Sequence, residues 1–218
     1  MDRNLAVPKR NPHTDSPPPD SSVPRCAWAE HGSPAERQYH DTEWGVPHHG
    51  EAALFEILSL EGAQAGLSWS TILARRDGYR RAFAGFDADT IAAWGPEVID
   101  HLVQNPGIIR HRGKIASVLA NAHALRALRE DGADLDTFLW SYTGGTPLQP
   151  RYASADEVPS TTDTARRISR DLKKRGFRFV GPTAAYALMQ AAGLTNDHTT
   201  DCHRHTELTP RPSEGAQP

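Results

Sequence analysis

The chain has 218 residues and a formal net charge of −3, from 24 lysines and arginines against 27 aspartates and glutamates. This balance excludes the strongly basic composition of histone-like and ribosomal proteins. No apolar run approaches the roughly 18–20 residues of a membrane span, and the N-terminal segment lacks the apolar stretch of a secretory signal. Two cysteines are too few for a disulfide scaffold, so we expect a soluble intracellular protein.

Both ends of the sequence differ in composition from the middle. The hydrophobic fraction of 38% is low for a globular protein, for which about 45–50% is usual. Nine of the 17 prolines lie in 1–25 or 209–218, and such segments bury too little apolar surface to offset the entropy lost on ordering. We therefore predict disordered tails at 1–25 and 209–218 and one folded domain at 26–208.

Apolar residues recur at spacings of three and four through this domain, which predicts an all-α fold built from short helices. In chain order, we expect helices at 51–62, 68–76, 87–94, 96–103, 114–129, 134–141, 165–174 and 182–192. Ser160 and Asp163 resemble a capping box before the seventh of these helices. Pro182 suits the first turn of the eighth helix, and Gly193 follows its last residue.

Each of the two cysteines lies near a histidine in the sequence. The spacing is fourteen residues in the first pair and four in the second, and the four residues are Cys26, His40, His198 and Cys202. Two thiolates and two imidazoles suit a tetrahedral zinc ion, and four protein ligands would make that zinc structural. Two alternatives stay open: buried thiols beside surface histidines, or a site in which His203 or His205 replaces His198.

Two glycines, Gly176 and Gly181, lie in the turn between the last two predicted helices. Glycines let the backbone approach a ligand closely, and the N-terminus of the following helix favours an anion such as phosphate. Residues 106–208 carry a net charge of +3 against −7 for 26–105, so a polyanion would meet the second half. The alternative is an ordinary turn beside a solvated helix face. The basic residues around this turn are Arg166, Arg167, Arg170, Lys173, Lys174, Arg175 and Arg178.

An aromatic pocket with one carboxylate is predicted from two segments, 39–45 and 60–69. The first places Tyr39 and Trp44 beside a predicted metal ligand, and the second places Glu61 at an apolar position of a helix before Trp69. Aromatic faces and a carboxylate suit a flat cationic heterocycle, since stacking holds the ring and the carboxylate accepts its exocyclic N–H. In the alternative interpretation these aromatic residues are core and Glu61 pairs with an arginine.

Six segments, taken together and in this order, resemble the 3-methyladenine DNA glycosylase I family of bacteria. They are RCAW at 25–28, YHDTEWGVP at 39–47, LEGAQAGLSW at 60–69, GIIRHRGK at 107–114, KKRGFRFVG at 173–181 and NDHTTDC at 196–202. The resemblance implies an all-α helix–hairpin–helix fold with a structural zinc joining its N- and C-terminal segments. It also implies a monomeric, cytoplasmic, DNA-associated enzyme, without a membrane partner, that flips out and excises N3-methyladenine from double-stranded alkylated DNA.

The resemblance further implies a role for each matching residue. The zinc ligands fall on Cys26, His40, His198 and Cys202. The catalytic carboxylate that reads the base falls on Glu61, and the base-binding aromatic residues on Tyr39, Trp69, Trp28 and Trp44. The loop that fills the duplex gap falls on Gly66 and Leu67. Contacts with the DNA backbone fall on Gly176, Gly181, Thr183, Lys173 and Lys174.

The sequence departs visibly from the pattern of the family at one place, and two further positions can be compared with the wider superfamily. Glu36 stands where the family often has a tyrosine near the pocket rim. Pro182 and Thr183 follow the hairpin where lyase members of the superfamily place a lysine, so we expect a monofunctional enzyme that leaves an abasic site. Asp197 is the carboxylate nearest to the superfamily's aspartate beyond the hairpin, on which this family does not rely in the usual way.

Two other functional interpretations remain open from the sequence. One is a non-catalytic helix–hairpin–helix zinc protein that binds damaged DNA, and the presence of Glu61, Tyr39 and Trp69 argues against it. The other is a purely structural zinc protein with an acidic partner surface, which the basic run at 166–178 disfavours.

Overall fold

The computed structural model describes residues 23–209, and the remainder of both predicted tails lies outside the described residues. The regular secondary structure of the described residues is helical, with 3₁₀ turns between some helices and one isolated parallel bridge between Leu148 and Thr195. The helices are α1 Ala27–Glu30, α2 Pro34–Thr42, α3 Glu51–Gln64, α4 Trp69–Leu73, α5 Arg76–Ala82, α6 Ala88–Ala92, α7 Val98–Leu102, α8 Arg112–Glu130, α9 Leu135–Trp140, α10 Asp163–Lys174, α11 Pro182–Ala191 and α12 His203–Glu207. The predicted all-α class is confirmed.

Most predicted helices are present, with changes at their ends. The helix predicted at 68–76 ends at Leu73, and a separate helix, α5, follows at Arg76–Ala82. Arg75, with φ −112° and ψ 3°, breaks the helical path between them. Helices α1, α2 and α12 were not predicted, although α2 carries a complete capping box between Ser33 and Glu36 that signals its start.

Side-chain caps fix where several helices begin. Asp87 accepts a hydrogen bond from the Thr90 amide and starts α6, as predicted. The predicted cap of α10 at Ser160 is wrong by two residues, because it is Thr162 that accepts from the Ala165 amide. The cap is the last extended residue whose hydroxyl reaches the third helical amide, and Thr162 has that geometry. Pro182 begins α11 as predicted.

The helix α3 runs through the centre of the core and is buried on all sides in its second half. Its side chains from Leu58 to Ala63 are all buried, whereas only part of the first half is. A helix that is surrounded by protein has no solvent face on which to place a polar residue. Glu61 therefore lies inside the molecule. Helix α3 packs against α11, and α11 packs against α10.

The N-terminal and C-terminal parts of the described chain lie together. The His203 amide donates to the Pro24 carbonyl at 3.0 Å. Arg25 is only 7% exposed, and its guanidinium donates to the Asp41 carboxylate at 2.8 and 2.9 Å. The prediction placed Arg25 in a disordered tail, but these contacts make it part of the fold.

No helix in residues 23–209 is both long enough and apolar enough to cross a membrane.

Candidate active site

A cavity of about 420 Å³ opens between the N-terminal helices and the buried pair α3 and α11. Pockets of this size suit a single small ring system. The predicted carboxylate and all four predicted aromatic residues line it together, although they come from α1, α2, α3, α4 and the loop after α2: Trp28, Tyr39, Trp44, Glu61 and Trp69.

The aromatic rings form two adjoining pairs. The Tyr39 and Trp69 ring centroids lie 5.0 Å apart at an interplanar angle of 42°. Trp28 and Trp44 meet edge to face, with centroids 5.2 Å apart. Trp28 is 36% exposed, so it lies at the solvent side, whereas Tyr39 is buried. The faces of these rings give the cavity an apolar, electron-rich wall that attracts a cation.

Glu61 brings a carboxyl group to this wall without a complete set of partners. The residue is 6% exposed, and its Oε2 atom has no hydrogen-bond partner among the described residues. Burial raises the pKa of Glu61 to about 8, from its usual value near 4.5. The Nε1 atom of Trp69 also lacks a partner within residues 23–209. Buried polar atoms are nearly always satisfied, so an acceptor and a donor are both available to a ligand in this cavity.

The cavity is also lined by a second carboxylate, Asp197, in a very different environment. Its Oδ2 accepts hydrogen bonds from the Tyr186 hydroxyl and from Gln190 Nε2, the latter at 2.7 Å. Its Oδ1 accepts from the Thr195 hydroxyl at 2.7 Å. Asp197 is 2% exposed and its partners fix its position. The cavity therefore contains one carboxylate that is fully engaged and one that is not.

The four predicted metal ligands converge beside the pocket. All four are buried, and their ligand atoms lie within 4.8 Å of one another: Cys26, His40, His198 and Cys202. Neither cysteine forms a disulfide. Hydrogen bonds from Cys26 and from the two histidines lower the pKa of Cys202, which favours the thiolate that a metal ion binds. The cluster can hold a metal ion.

The outward-facing nitrogens of both histidines are held by further groups. His40 Nδ1 lies 2.8 Å from the Asp41 carboxylate, which also accepts a hydrogen bond from the Arg25 guanidinium. His198 Nε2 lies 3.1 Å from the Trp44 carbonyl, so its Nδ1 faces the cluster. Such second contacts fix the orientation of metal-binding histidines. The Trp44 contact also joins the cluster to the aromatic wall. His203 and His205, the alternatives left open by the sequence, are not among the clustered ligands.

The predicted DNA-contacting residues lie at the surface, outside the cavity except for Thr183. Leu67 is 40% exposed in the loop between α3 and α4, next to Gly66 at φ +74°. The hairpin between α10 and α11 contains Gly176 at φ +88° and Gly181 as the cap of α11. The lysines at the end of α10, Lys173 and Lys174, are exposed.

Several residues of the cavity were not predicted from the sequence. Gln64 lies one turn after Glu61 on α3, and Tyr186 and Gln190 lie one turn apart on α11. Polar residues that recur three or four positions apart on an otherwise apolar helix are a sequence signal that could have found them. Ser160, predicted as a cap, lines the cavity instead.

Comparison with known proteins identifies the family of the chain. Residues 28–205 match the family model described as methyladenine glycosylase. The chain belongs to this family. It is 44% identical over 178 residues to DNA-3-methyladenine glycosylase 1 of Escherichia coli K12, a match that covers 82% of this chain and 95% of that protein. The match to the family lies within the predicted domain at 26–208.

Solved structures of the family have the same fold. A crystal structure of 3-methyladenine DNA glycosylase I superposes with a TM-score of 0.80 at 47% identity, covering 83% of this chain and 98% of the other. A variant of 3-methyladenine DNA glycosylase I, crystallised with 3-methyladenine, superposes with a TM-score of 0.79 at 36% identity and covers 82% of this chain and 96% of its own.

Proposed function

We propose that this protein is a monofunctional DNA glycosylase that excises N3-methyladenine from alkylated double-stranded DNA and leaves an abasic site. The observation that carries the proposal is the carboxyl of Glu61 inside an aromatic cavity, with an Oε2 atom that has no hydrogen-bond partner among the described residues. Its support from the family is that the relatives are named 3-methyladenine DNA glycosylases and that one was crystallised with the free base.

Recognition depends on the positive charge of the methylated base. Tyr39 and Trp69 present their rings to one side of the cavity, where stacking and cation–π attraction hold a flat cation better than a neutral base. The carboxylate of Glu61 accepts the exocyclic N–H of adenine and balances the charge. A cation in the cavity shifts Glu61 towards its ionised form, because the attraction offsets the burial that raises its pKa.

The chemistry requires little beyond placement. An N3-methylated adenine in DNA is already cationic, so the bond from its N9 to C1′ breaks with the electron pair moving onto the base, which leaves neutral. Water then adds to the sugar at C1′ and loses a proton, which completes hydrolysis. Extruding the nucleotide costs a few kcal/mol, and least for a damaged base, which contributes to selectivity. Glu61 stabilises the bound cation and needs no proton transfer to the leaving base.

The surface segments provide the remaining steps. The exposed Leu67 would enter the gap in the duplex that the extruded nucleotide leaves. The hairpin with Gly176, Gly181 and Thr183 would bind the DNA phosphates through its amides at the start of α11. Lys173 and Lys174 would add charge to this contact. Pro182 and Thr183 offer no amine to attack the sugar, so strand cleavage is not expected.

The metal in the Cys–His cluster is proposed to be a single structural zinc ion. Two thiols and two imidazoles, all buried and close enough to share one ion, match the ligand set that tetrahedral zinc prefers. With four protein ligands, zinc would have no free position for substrate. Its role would be to fix His198 and the loop before α12 against the N-terminal helices, and thereby the aromatic wall beside them.

The test of the enzymatic proposal is release of free base from methylated duplex DNA. The wild-type protein should release 3-methyladenine, and Glu61→Gln, which keeps the size but not the charge of the side chain, should be slower by at least 100-fold. Detection of cleaved strands would contradict the monofunctional assignment. If the wild-type protein binds methylated DNA but releases no base, it is a damage-binding protein and the enzymatic proposal is wrong.

The zinc proposal has a separate test. Purified protein should contain about one equivalent of zinc by atomic spectroscopy, and Cys26→Ala should lose it. Thr206→Ala, an exposed change on α12 away from the ligands, is the matched control and should keep its zinc. Zinc well below one equivalent in the wild-type protein would contradict the proposal.

A further inference from the structure

An asparagine side chain of α8 is hydrogen-bonded to the backbone of the hairpin. Asn121 Nδ2 donates to the Arg178 carbonyl at 3.1 Å, and the Arg178 amide donates to Asn121 Oδ1 at 2.7 Å. Asn121 is 2% exposed, so its side chain is shielded from water. The side-chain amide thus pairs with the hairpin backbone at two points, as a neighbouring strand would. It fixes both the position and the orientation of the turn.

A second side chain of α8 holds the end of α3. Lys114 is 8% exposed, and its Nζ donates to the carbonyls of Ala63 and Ala65 at 2.8 and 2.5 Å. These carbonyls are at the C-terminus of α3, where a helix leaves its last acceptors unpaired and favours a cation. A lysine this buried is rare unless it is paired. The contact fixes the turn between Glu61 and the exposed Leu67.

The hairpin and α3 also meet directly. A Cβ atom at Gly62 would lie 3.3 Å from the Cβ of Phe179, so the two backbones approach closely at the residue after Glu61. Phe179 has φ +55°, a conformation that is uncommon for a non-glycine residue and is kept only where the surroundings impose it. Its ring also lies edge to face with His111, whose side chain caps the start of α8.

Lys114 and Asn121 are seven residues apart on α8, which is two helical turns, and therefore share one face about 10 Å long. One holds the helix that carries Glu61, and the other holds the hairpin. We propose that Lys114 and Asn121 are positioning residues that join the base-reading helix and the phosphate-binding hairpin into one rigid unit, so that seating the hairpin on the DNA backbone places the extruded base against Glu61. This inference rests on the function proposed above.

The coupling itself can be measured in the ligand-free protein by amide hydrogen exchange. Asn121→Ala should speed exchange in the hairpin, 176–182, and also in 62–67, whereas the hydrogen bonds of the Asn121 side chain within residues 23–209 are to Arg178. Lys114→Met should do the reverse, speeding exchange in 62–67 and also in 176–182. Ala127→Ser, an exposed change on the same helix, should change neither. Exchange that rises only in the segment touched by the altered side chain would overturn the proposal.

The two variants should affect base binding, duplex binding and excision to different extents. Affinity for free 3-methyladenine, followed by tryptophan fluorescence, reports the pocket and should stay within twofold of wild type in both variants. Affinity for a duplex with a tetrahydrofuran abasic analogue should fall at least tenfold in Asn121→Ala. The single-turnover excision rate at saturating enzyme should fall at least tenfold in Lys114→Met.

A merely structural role would give a different result. If a variant were partly misfolded, free-base binding, duplex binding and excision would all decrease in the same proportion. Free-base binding also counts the folded pockets in each preparation, so partial unfolding is recognised. A parallel loss of base affinity and excision, or no separation at all, would overturn the positioning role. If the wild-type protein excises no base, the proposed function fails, while the exchange experiment still tests the rigid unit.

Discussion

At the scale of single residues, the contrast between the two carboxylates of the cavity is the central observation. Asp197 is saturated by hydroxyl and amide donors, whereas Glu61 keeps an oxygen without a partner among the described residues. A carboxylate whose oxygens are all hydrogen-bonded stabilises the structure around the cavity, whereas one with an unpaired oxygen is available to a ligand. The protein is less stable because of this arrangement, which is common at functional sites.

The raised pKa of Glu61 predicts a specific dependence of stability on pH. The folded protein holds a proton on Glu61 up to about pH 8, while the unfolded chain releases it near pH 4.5. Between these values the folded state binds more protons, so the free energy of unfolding falls as pH rises. Urea unfolding of wild type and Glu61→Gln at pH 5.5, 7.0 and 8.5 isolates this contribution, since other titrating groups are common to both. The free energy of unfolding of Glu61→Gln should increase relative to that of the wild type as pH rises. A constant difference between the two proteins at all three pH values would contradict the prediction.

Some residues of the site could be predicted from local sequence patterns, and others could not. Glu61 was found because a carboxylate interrupts an apolar helical face, and the metal cluster because cysteines and histidines are close in sequence. The wall formed by Asp197 was not assigned as part of the pocket, since it is built where α11 meets the loop before α12. The contact of Lys114 with Ala63 spans 51 residues and has no local pattern.

At the scale of elements, turns determine how the helices meet. The sequence predicted the longer helices, among them α3, α8 and α11, because each has enough apolar positions to show its period. It missed the division between α4 and α5 at Arg75, where helical periodicity continues across a bend. Gly193 after α11 and Gly132 after α8 are among the glycines that follow the ends of helices in the left-handed conformation.

These two glycines form a matched pair for mutation. A Cβ at Gly193 would lie 2.4 Å from the Val46 backbone, whereas one at Gly132 would meet nothing within 4 Å. Both substitutions impose a left-handed conformation on alanine, at about 1–2 kcal/mol, but Gly193→Ala also forces two backbones apart. We expect Gly193→Ala to lower the free energy of unfolding by about 3 kcal/mol or more, and Gly132→Ala by about 1 kcal/mol, in urea titrations. Equal losses would contradict the close approach of Gly193 to Val46.

The end of α10 predicts a salt effect. Lys173 and Lys174 are exposed, and each phosphate that a lysine neutralises adds about 0.9 to the steepness with which log affinity falls against log salt. Replacing both with alanine should make that slope shallower by about 2 for a duplex with an abasic analogue. Arg81→Ala removes an exposed charge from α5, in the acidic half of the chain, and should leave the slope unchanged. If the double substitution Lys173→Ala and Lys174→Ala leaves the slope unchanged, these two lysines do not contact the DNA phosphates.

At the scale of the whole molecule, the net charge of −3 conceals a division of labour. The acidic part of the sequence supplies Glu61 and most of the aromatic wall, while the hairpin and its lysines lie in the basic part. A modest total charge predicts weak binding to undamaged DNA, so specificity depends on the extruded base. The sequence could predict this division because charge is additive along the chain. It could not predict how α8 joins the two parts, which depends on tertiary contacts.

Removal of the proposed zinc should destabilise the whole fold. The cluster links Cys26 to His198 across 172 residues, and a crosslink over a loop of that length is worth about 5 kcal/mol in chain entropy. A chelator should therefore lower the melting temperature of the wild-type protein by roughly 10 °C or more. The same treatment should have little effect on Cys26→Ala, which has already lost the link. An unchanged wild-type melting temperature would contradict a structural role.

The same long separation has a consequence for biosynthesis. Cys26 and His40 leave the ribosome early, but their partners His198 and Cys202 are among the last described residues to be made. At roughly 5–20 residues per second, the first cysteine waits about 9 to 34 s for the second half of its site. During that interval its thiol is exposed to oxidants and to other metals. The finished cluster therefore marks a chain whose translation has passed residue 202, and a product truncated before His198 would lack two of the four clustered side chains.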